Sequence, residues 1–311
     1  MSTACLAPTD STLTPDGHTL RLRDSTFTWG TRTYVMAILN VTPDSFSGDG
    51  LAGELVRAVD LAVDRAAKAV DAGADILDVG GESTRPGAAE VSAEEELARV
   101  VPVVKALRER FQVAISVDTY KAAVAEAALD AGADMVNDVW ALRADALMAP
   151  LVARRRVPIV LMHNRSNPQH VALAGRLGAH YVGVDYRDLL ADVRSELGES
   201  ITLAKAAGVA DGQIVLDPGI GFGKTAAQNL ELLDRVGDVA SLGYPVLVGP
   251  SRKSFIGLTL DLPPDERVEG TAAAVAVAIT RGADIVRVHD VREMVRVVRM
   301  TDAIVRRGLR M

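Results

Sequence analysis

Eight short apolar runs punctuate the chain, separated by stretches with helical periodicity. They are YVMAILN ending at Asn40, GADILDV from Gly73, QVAISVD ending at Asp118, GADMVND from Gly132, VPIVLMH ending at His163, QIVLD ending at Asp217, PVLVG ending at Gly249 and GADIVRV from Gly282. Three open on Gly-Ala-Asp, so they are copies of an internal repeat. Glycine there supplies the left-handed turn that ends a helix. The β-branched run behind it suits a strand buried on both faces. Helices are predicted over 53–72, 93–110, 120–131, 145–156, 184–207, 226–240, 266–281 and 291–307. Strict alternation of helix with wholly apolar strand predicts a parallel sheet of the α/β class. Eight units close it into a (β/α)8 TIM barrel; an open doubly wound sheet is the alternative, but usually has fewer units. Ahead of the barrel, residues 19–34 alternate apolar and polar around Asp24-Ser25, as a β-hairpin does. Residues 1–18 are rich in Ser, Thr, Pro and Asp and are expected to form a disordered tail. Residues 164–183 are polar and predict an irregular loop. No linker or composition shift divides 19–311, so it is expected to be one domain.

Composition narrows the picture. Apolar residues are 49% and aromatics only 4%, so the core is built from small aliphatic side chains. The net charge of −7 provides no broad basic field, which argues against a nucleic-acid binder. No apolar run is long enough to suggest a membrane span. The single cysteine, Cys5, allows no internal disulfide, and the first residues lack the pattern of a signal peptide. A cytoplasmic location is expected.

The strand ends carry the candidate chemistry, because barrel enzymes place working residues just past the C-terminal ends of their strands. Here those positions hold Asn40, Asp78, Asp118, Asn137, His163, Asp217, Arg252, Lys253, Arg287 and His289. A merely solvated rim would favour Lys and Glu, whereas this one favours groups with directional hydrogen bonding. Asp118, Asn137 and Asp217 would face one cavity and suit a flat heterocycle bearing amino and ring N–H donors. Lys253 could bond a ring carbonyl or nitrogen. Arg252, Lys253, Arg287 and His289 make the side after the last two strands positive, where barrels commonly hold phosphate. Asp78 fits neither half and is taken as a strand end leaving the core.

Three loops sharpen this. NVTPDSFSGDG (40–50) has the composition of a closing lid, with Phe46 as an apolar contact. GGESTRPGAAE (80–90) offers Arg85 to an anion. DPGIGFGKT (217–225) is neither a P-loop, having three residues rather than four between Gly219 and Gly223, nor a dinucleotide fingerprint, having Lys224 in the sixth position. Its glycines predict close approach of backbone to a ligand, with Phe222 as an apolar wall. No His or Cys pair has zinc-ligand spacing. Asn40 beside a diphosphate would suit Mg2+, which takes few protein oxygens.

These segments together resemble the dihydropteroate synthases. The resemblance rests on ILNVTPDSFS (38–47), GGESTRPGA (80–88), SVDTYK (116–121), NDV (137–139), LMH (161–163), DPGIGFGK (217–224), GPSRKSFIG (249–257), EGTAAA (269–274) and RVHDV (287–291), in the family's order from about 19 to 307. It implies a transferase of folate biosynthesis. 4-Aminobenzoate displaces diphosphate from (7,8-dihydropterin-6-yl)methyl diphosphate, by an SN1-like path with Mg2+ assistance. It implies that Asp118, Asn137, Asp217 and Lys253 bind the pterin, with Met162 packed on the ring. Arg287 and His289 match the diphosphate site and Asn40 the Mg2+ ligand. Thr84, Arg85, Phe222, Lys253 and Ser254 match positions around 4-aminobenzoate and the reaction centre. Asp44 is a candidate for favouring the cation. A homodimer and sensitivity to sulfonamides are further implications. The chain departs from the family pattern in FSGDG of the first loop and in Asn164-Arg165-Ser166 after His163. A pterin-binding methyltransferase shares the barrel but should lack STRPG and SRKS, and a non-catalytic paralogue should have lost loop residues that remain here.

Overall fold

The computed structural model describes residues 19–41, 51–83, 90–166, 171–181 and 184–306. The predicted tail, the first-loop lid with Asp44 and Phe46, and Thr84 and Arg85 lie outside them. The hairpin is present: β1 (Thr19–Leu22) pairs antiparallel with β2 (Ser25–Thr28). The barrel staves follow as β3 (Tyr34–Asn40), β4 (Ile76–Gly80), β5 (Ala114–Asp118), β6 (Met135–Asp138) and β7 (Ile159–Met162). A short antiparallel pair, β8 (Val171–Leu173) and β9 (Ala179–Tyr181), precedes the staves β10 (Ile214–Asp217), β11 (Leu247–Val248) and β12 (Ile285–Val288). Eight strands pair in parallel in the order β10-β7-β6-β5-β4-β3-β12-β11. A bridge between Leu216 and Val246 and the bond from Leu216 N to Pro245 O (2.9 Å) close the ring.

The helices are α1 (Leu51–Ala72), α2 (Ala93–Arg110), α3 (Ala122–Asp130), α4 (Met148–Arg155), α5 (Leu189–Ala206), α6 (Ala226–Asp234), α7 (Val236–Ala240), α8 (Ser254–Leu260), α9 (Val268–Thr280) and α10 (Val291–Val305). None of the helices among the described residues is long and apolar enough to cross a membrane. The sequence pattern missed three features. The predicted helix over 226–240 breaks at Arg235, which leaves the helical conformation and pairs with Asp238. Helix α8 begins inside GPSRKSFIG and runs on to Leu260, and the Gly, Pro and Ser ahead of it mask the helical period. The stretch 164–183 is not wholly irregular. Gly175 and Gly178 take positive φ (52° and 78°) to turn β8 into β9, and Arg267 donates from Nη2 to Leu177 O (2.8 Å).

The GAD repeat has a mechanical role at the N-terminal end of the barrel. Gly73, Gly132 and Gly282 have φ of 102°, 115° and 103°, the left-handed turn that the repeat predicts. The aspartate two residues on bonds the backbone of the neighbouring segment. Asp75, Asp134 and Asp284 accept at Oδ2 from Val35 N (2.8 Å), Ile115 N (2.8 Å) and Val246 N (3.1 Å). Inside the ring, Met36, Ile76, Ala114, Met135, Val160, Val215, Leu247 and Ile285 form an apolar floor. Leu20, Leu22 and Phe27 of the hairpin pack into the same cluster, so the hairpin plugs this end. Side chains alternate across a strand, so the next inward positions lie toward the C-terminal mouth.

Candidate active site

The inward layer above the floor is polar. Asp78, Ser116, Asn137, Asp217 and Arg287 occupy it, and Asp78 and Ser116 are fully buried. Parallel register sets Asp78 beside Ser116 and Asp118 beside Asn137. Arg287 reaches across two neighbouring staves. Its Nε donates to Asp78 Oδ2 (2.6 Å) and its Nη2 to Asp118 Oδ2 (2.6 Å). Asn137 Nδ2 also donates to Asp78 Oδ2 (3.2 Å). Asp78 is therefore part of the site, correcting its assignment as a simple strand end. Arg287 joins the acceptor half to the cationic half rather than standing apart from it.

The other wall comes from residues 217–224 and 249–257. Asp217 Oδ1 accepts from Gly219 N (2.7 Å), which folds the loop back over the strand end. Lys253 donates to Ile220 O (2.7 Å), and its Nζ lies 3.9 Å from the centre of the Phe222 ring. Phe222, Met162 and Val139 form an apolar cluster with Tyr120 and Trp140 beside them. An apolar patch thus lies among the hydrogen-bonding groups at the strand ends, with Met162 opposite Asp217 in register and Phe222 against Lys253.

Burial governs the charges. Desolvation pushes the Asp118 carboxyl up to about 7, although Arg287 opposes it. Desolvation also raises Asp217, to about 6, against its bond from Gly219 N. Lys253 is pushed down to about 7 by burial, with Asp217 pulling the other way. Arg287 is buried too, but Asp78 and Asp118 more than offset that and hold it above the usual guanidinium value. Such shifts cluster at working sites, and burial moves Lys224 down to about 7 and Asp138 up to about 6 in the same way.

The glycines of DPGIGFGK make room for the protein itself rather than for a ligand. A Cβ on Gly219 would meet His163 O at 1.8 Å, one on Gly221 would meet Lys253 Cδ at 2.5 Å and one on Gly223 would meet Arg165 C at 2.4 Å. Buried Lys224 locks the same loop, donating to Gly219 O and Phe222 O and lying within 3.0 Å of His163 Nδ1. His163 Nε2 in turn lies 3.1 Å from Glu196 Oε2 of α5. His163 is held down to about 4, first by burial and then by the Lys224 charge. His163 therefore supports the loop from behind. Glu196 and the contact of Lys224 with His163 escaped the sequence reading because those partners lie far away in the chain.

The remaining predicted residues divide. His289 sits on Ser251, whose Oγ accepts from His289 N (3.2 Å) and lies 3.0 Å from Nδ1. Ser254 begins α8, directly after Lys253. Asn40 ends β3 half-buried, opposite Gly80 in register, with its side chain in no hydrogen bond with a described residue. Arg252 leaves the cationic set: its Nε donates to Asp290 Oδ2 (2.8 Å), and the pair forms a second, shorter contact through Nη2 and Oδ1.

Comparison with known proteins shows the family. A family model described as pterin binding enzyme matches residues 36–289. The dihydropteroate synthase of Clostridium beijerinckii is 49% identical over 289 residues, covering 93% of this chain and all of that protein. A solved dihydropteroate synthase from Clostridium difficile, in the presence of pteroic acid, superposes with a TM-score of 0.81 at 47% identity, covering 90% of this chain and 99% of the other. The Xanthomonas albilineans dihydropteroate synthase with 4-aminobenzoic acid gives a TM-score of 0.82 at 40% identity, covering 94% and 99%.

Proposed function

The chain belongs to the dihydropteroate synthases of the pterin-binding enzyme family, and from that premise we propose how its barrel mouth performs their reaction. The enzyme is a transferase of folate biosynthesis. It joins 4-aminobenzoate to (7,8-dihydropterin-6-yl)methyl diphosphate, giving 7,8-dihydropteroate and diphosphate. The observation that supports this site is Lys253 held against Phe222 on the wall that Asp217 anchors, facing the Arg287 bridge between Asp78 and Asp118. Asp118, Asp217 and the Asn137 carboxamide accept from the pterin's amino and ring N–H groups, and Lys253 donates to its carbonyl or ring nitrogen. Met162 and Phe222 cover its flat faces.

The step is SN1-like. The C–O bond to diphosphate breaks with its electron pair leaving on oxygen, and the methylene cation is shared with the pterin ring. The amine lone pair then forms the C–N bond, and its proton passes to solvent. An arylamine is nucleophilic when neutral, so no strong base is needed. Arg287 and His289 stabilise the charge that builds on the leaving diphosphate. Thr84, Arg85 and Ser254 surround the 4-aminobenzoate, and Asp44 favours the cation. Closure of the first two loops keeps water from that cation and orients the amine.

Asn40 suits a Mg2+ ion. A lone amide oxygen at the mouth is the donor set expected for a hard cation that takes most of its ligands from diphosphate and water. Bound there, Mg2+ would offset charge on the leaving group. The protein acts on small molecules in the cytoplasm, as a homodimer, without nucleic-acid or membrane partners. Incubating the purified protein with the pterin diphosphate, 4-aminobenzoate and Mg2+ tests the assignment. Dihydropteroate and diphosphate should appear in equal amounts, and their absence from a folded sample would refute it.

A further inference from the structure

We propose that Asp78 is a positioning residue that decides which way the Asn137 carboxamide faces, and through it the hydrogen-bond pattern the pocket presents to a heterocycle. The inference rests on the pterin reading of the site.

Asp78 Oδ2 takes two donors, Arg287 Nε at 2.6 Å and Asn137 Nδ2 at 3.2 Å. A carboxylate paired with a guanidinium can only accept hydrogen bonds. The amide atom facing it must therefore be the nitrogen, and the Asn137 oxygen is left for the pocket. The base of the pocket then presents acceptors at three places, Asp118, Asn137 Oδ1 and Asp217. A carboxamide free to rotate would present a donor or an acceptor with similar ease and would discriminate poorly. Both ends of the contact are fixed: Asp78 is fully buried and Asn137 is 3% exposed.

A buried carboxylate oxygen left without a partner is costly. Here Asp78 Oδ1 and the adjacent Ser116 Oγ are buried with no hydrogen-bond partner among the described residues. Asp78 thus spends one oxygen on orienting two site residues at a cost that packing alone does not explain. Asp78→Asn keeps the shape and removes the constraint, because a carboxamide can donate as well as accept.

The test compares two probes by titration calorimetry. Pterin (2-amino-4-oxopteridine) carries donors on the edge where lumazine (2,4-dioxopteridine) carries an additional carbonyl. Wild type should prefer pterin, and Asp78→Asn should shrink that preference by about tenfold or more, as expected when a buried polar group is mispaired. Loss of general stability would weaken both probes together and leave the ratio alone. Unchanged selectivity in a folded Asp78→Asn variant overturns the inference. If that variant does not fold, a neutron structure of the wild-type pterin complex decides. Nδ2 of Asn137 facing Asp78 supports the inference, and Nδ2 facing the pterin overturns it. A wild type that binds neither probe overturns the pterin reading and this inference with it, whereas selectivity that survives Asp78→Asn overturns the inference alone.

Discussion

The two ends of the barrel use aspartate in opposite ways. At the N-terminal end every carboxylate oxygen of Asp75, Asp134 and Asp284 is occupied. Asp75 takes Arg32 and Val35 N, Asp134 takes Arg23, Arg108 and Ile115 N, and Asp284 takes Gly30 N and Val246 N. These groups tie neighbouring staves and the plugging hairpin together. At the mouth, Asp78, Asp118 and Asp217 each engage described residues through one oxygen. The saturated carboxylates hold the scaffold, whereas Asp118 and Asp217 keep one oxygen for a ligand and Asp78 holds Arg287 and Asn137 in place. The difference lies in partners rather than in residue type, and a span of three residues along one stave separates Asp75 from Asp78.

The largest test of that contrast is Lys253→Ala. It should lower kcat by about a thousandfold, since removing one preorganised donor can cost that much, while circular dichroism and the melting temperature stay near wild type. Wild-type turnover would place the reaction elsewhere. Asp134→Ala should do the reverse. Leaving Arg108 without its carboxylate should cost about 3 kcal/mol in urea unfolding, at the lower edge of the range for broken buried pairs because both arginines are partly exposed. The kcat of the folded fraction should stay within about twofold. A large loss of kcat without loss of stability would break the comparison.

Asp118→Asn separates the ends by pH. The folded-state value is raised to about 7 from 3.8. The stability linked to that carboxyl is therefore present below about 4 and lost as pH rises through about 7. Removing it should stabilise the variant relative to wild type increasingly from pH 4 to pH 8, by a few degrees in thermal melts, while pterin binding falls. A stability difference that stays flat with pH would show the carboxyl to be unstrained. The smallest effect belongs to Arg252→Gln. Its partly exposed pair with Asp290 is worth under about 1 kcal/mol, and activity should remain within a few-fold. A hundredfold loss would return Arg252 to the cationic set.

Much of this was legible in the sequence. The β-branched runs became the staves because strands buried on both faces tolerate little else. Asp118, Asn137 and Asp217 stood out because polar residues end those runs. Asp78 was harder. It holds the same repeat position as Asn137 and Arg287, all three turned toward the inside of the ring, and its Oδ2 accepts from both across the barrel interior. Judged by itself, it looked like any strand end. The glycines of 217–224 were given to a ligand because their real neighbours, His163, Arg165 and Lys253, are distant in the chain. Arg252 misled for the same reason, since Asp290 comes from the loop after another stave.

The pairing of β12 with β3 joins the two ends of the chain, with Ile285 beside Tyr34. Arg287 lies on that last stave, and it supplies the cation shared by Asp78 and Asp118. On the ribosome, both acids are made well before the arginine that reconciles them. A nascent chain lacking β12 carries an open edge and two uncompensated carboxylates on neighbouring strands. Ring closure and charge neutralisation therefore arrive as one late event, after a long chain separation has been bridged. The charge pattern of the mouth is therefore complete only once β12 has joined the ring.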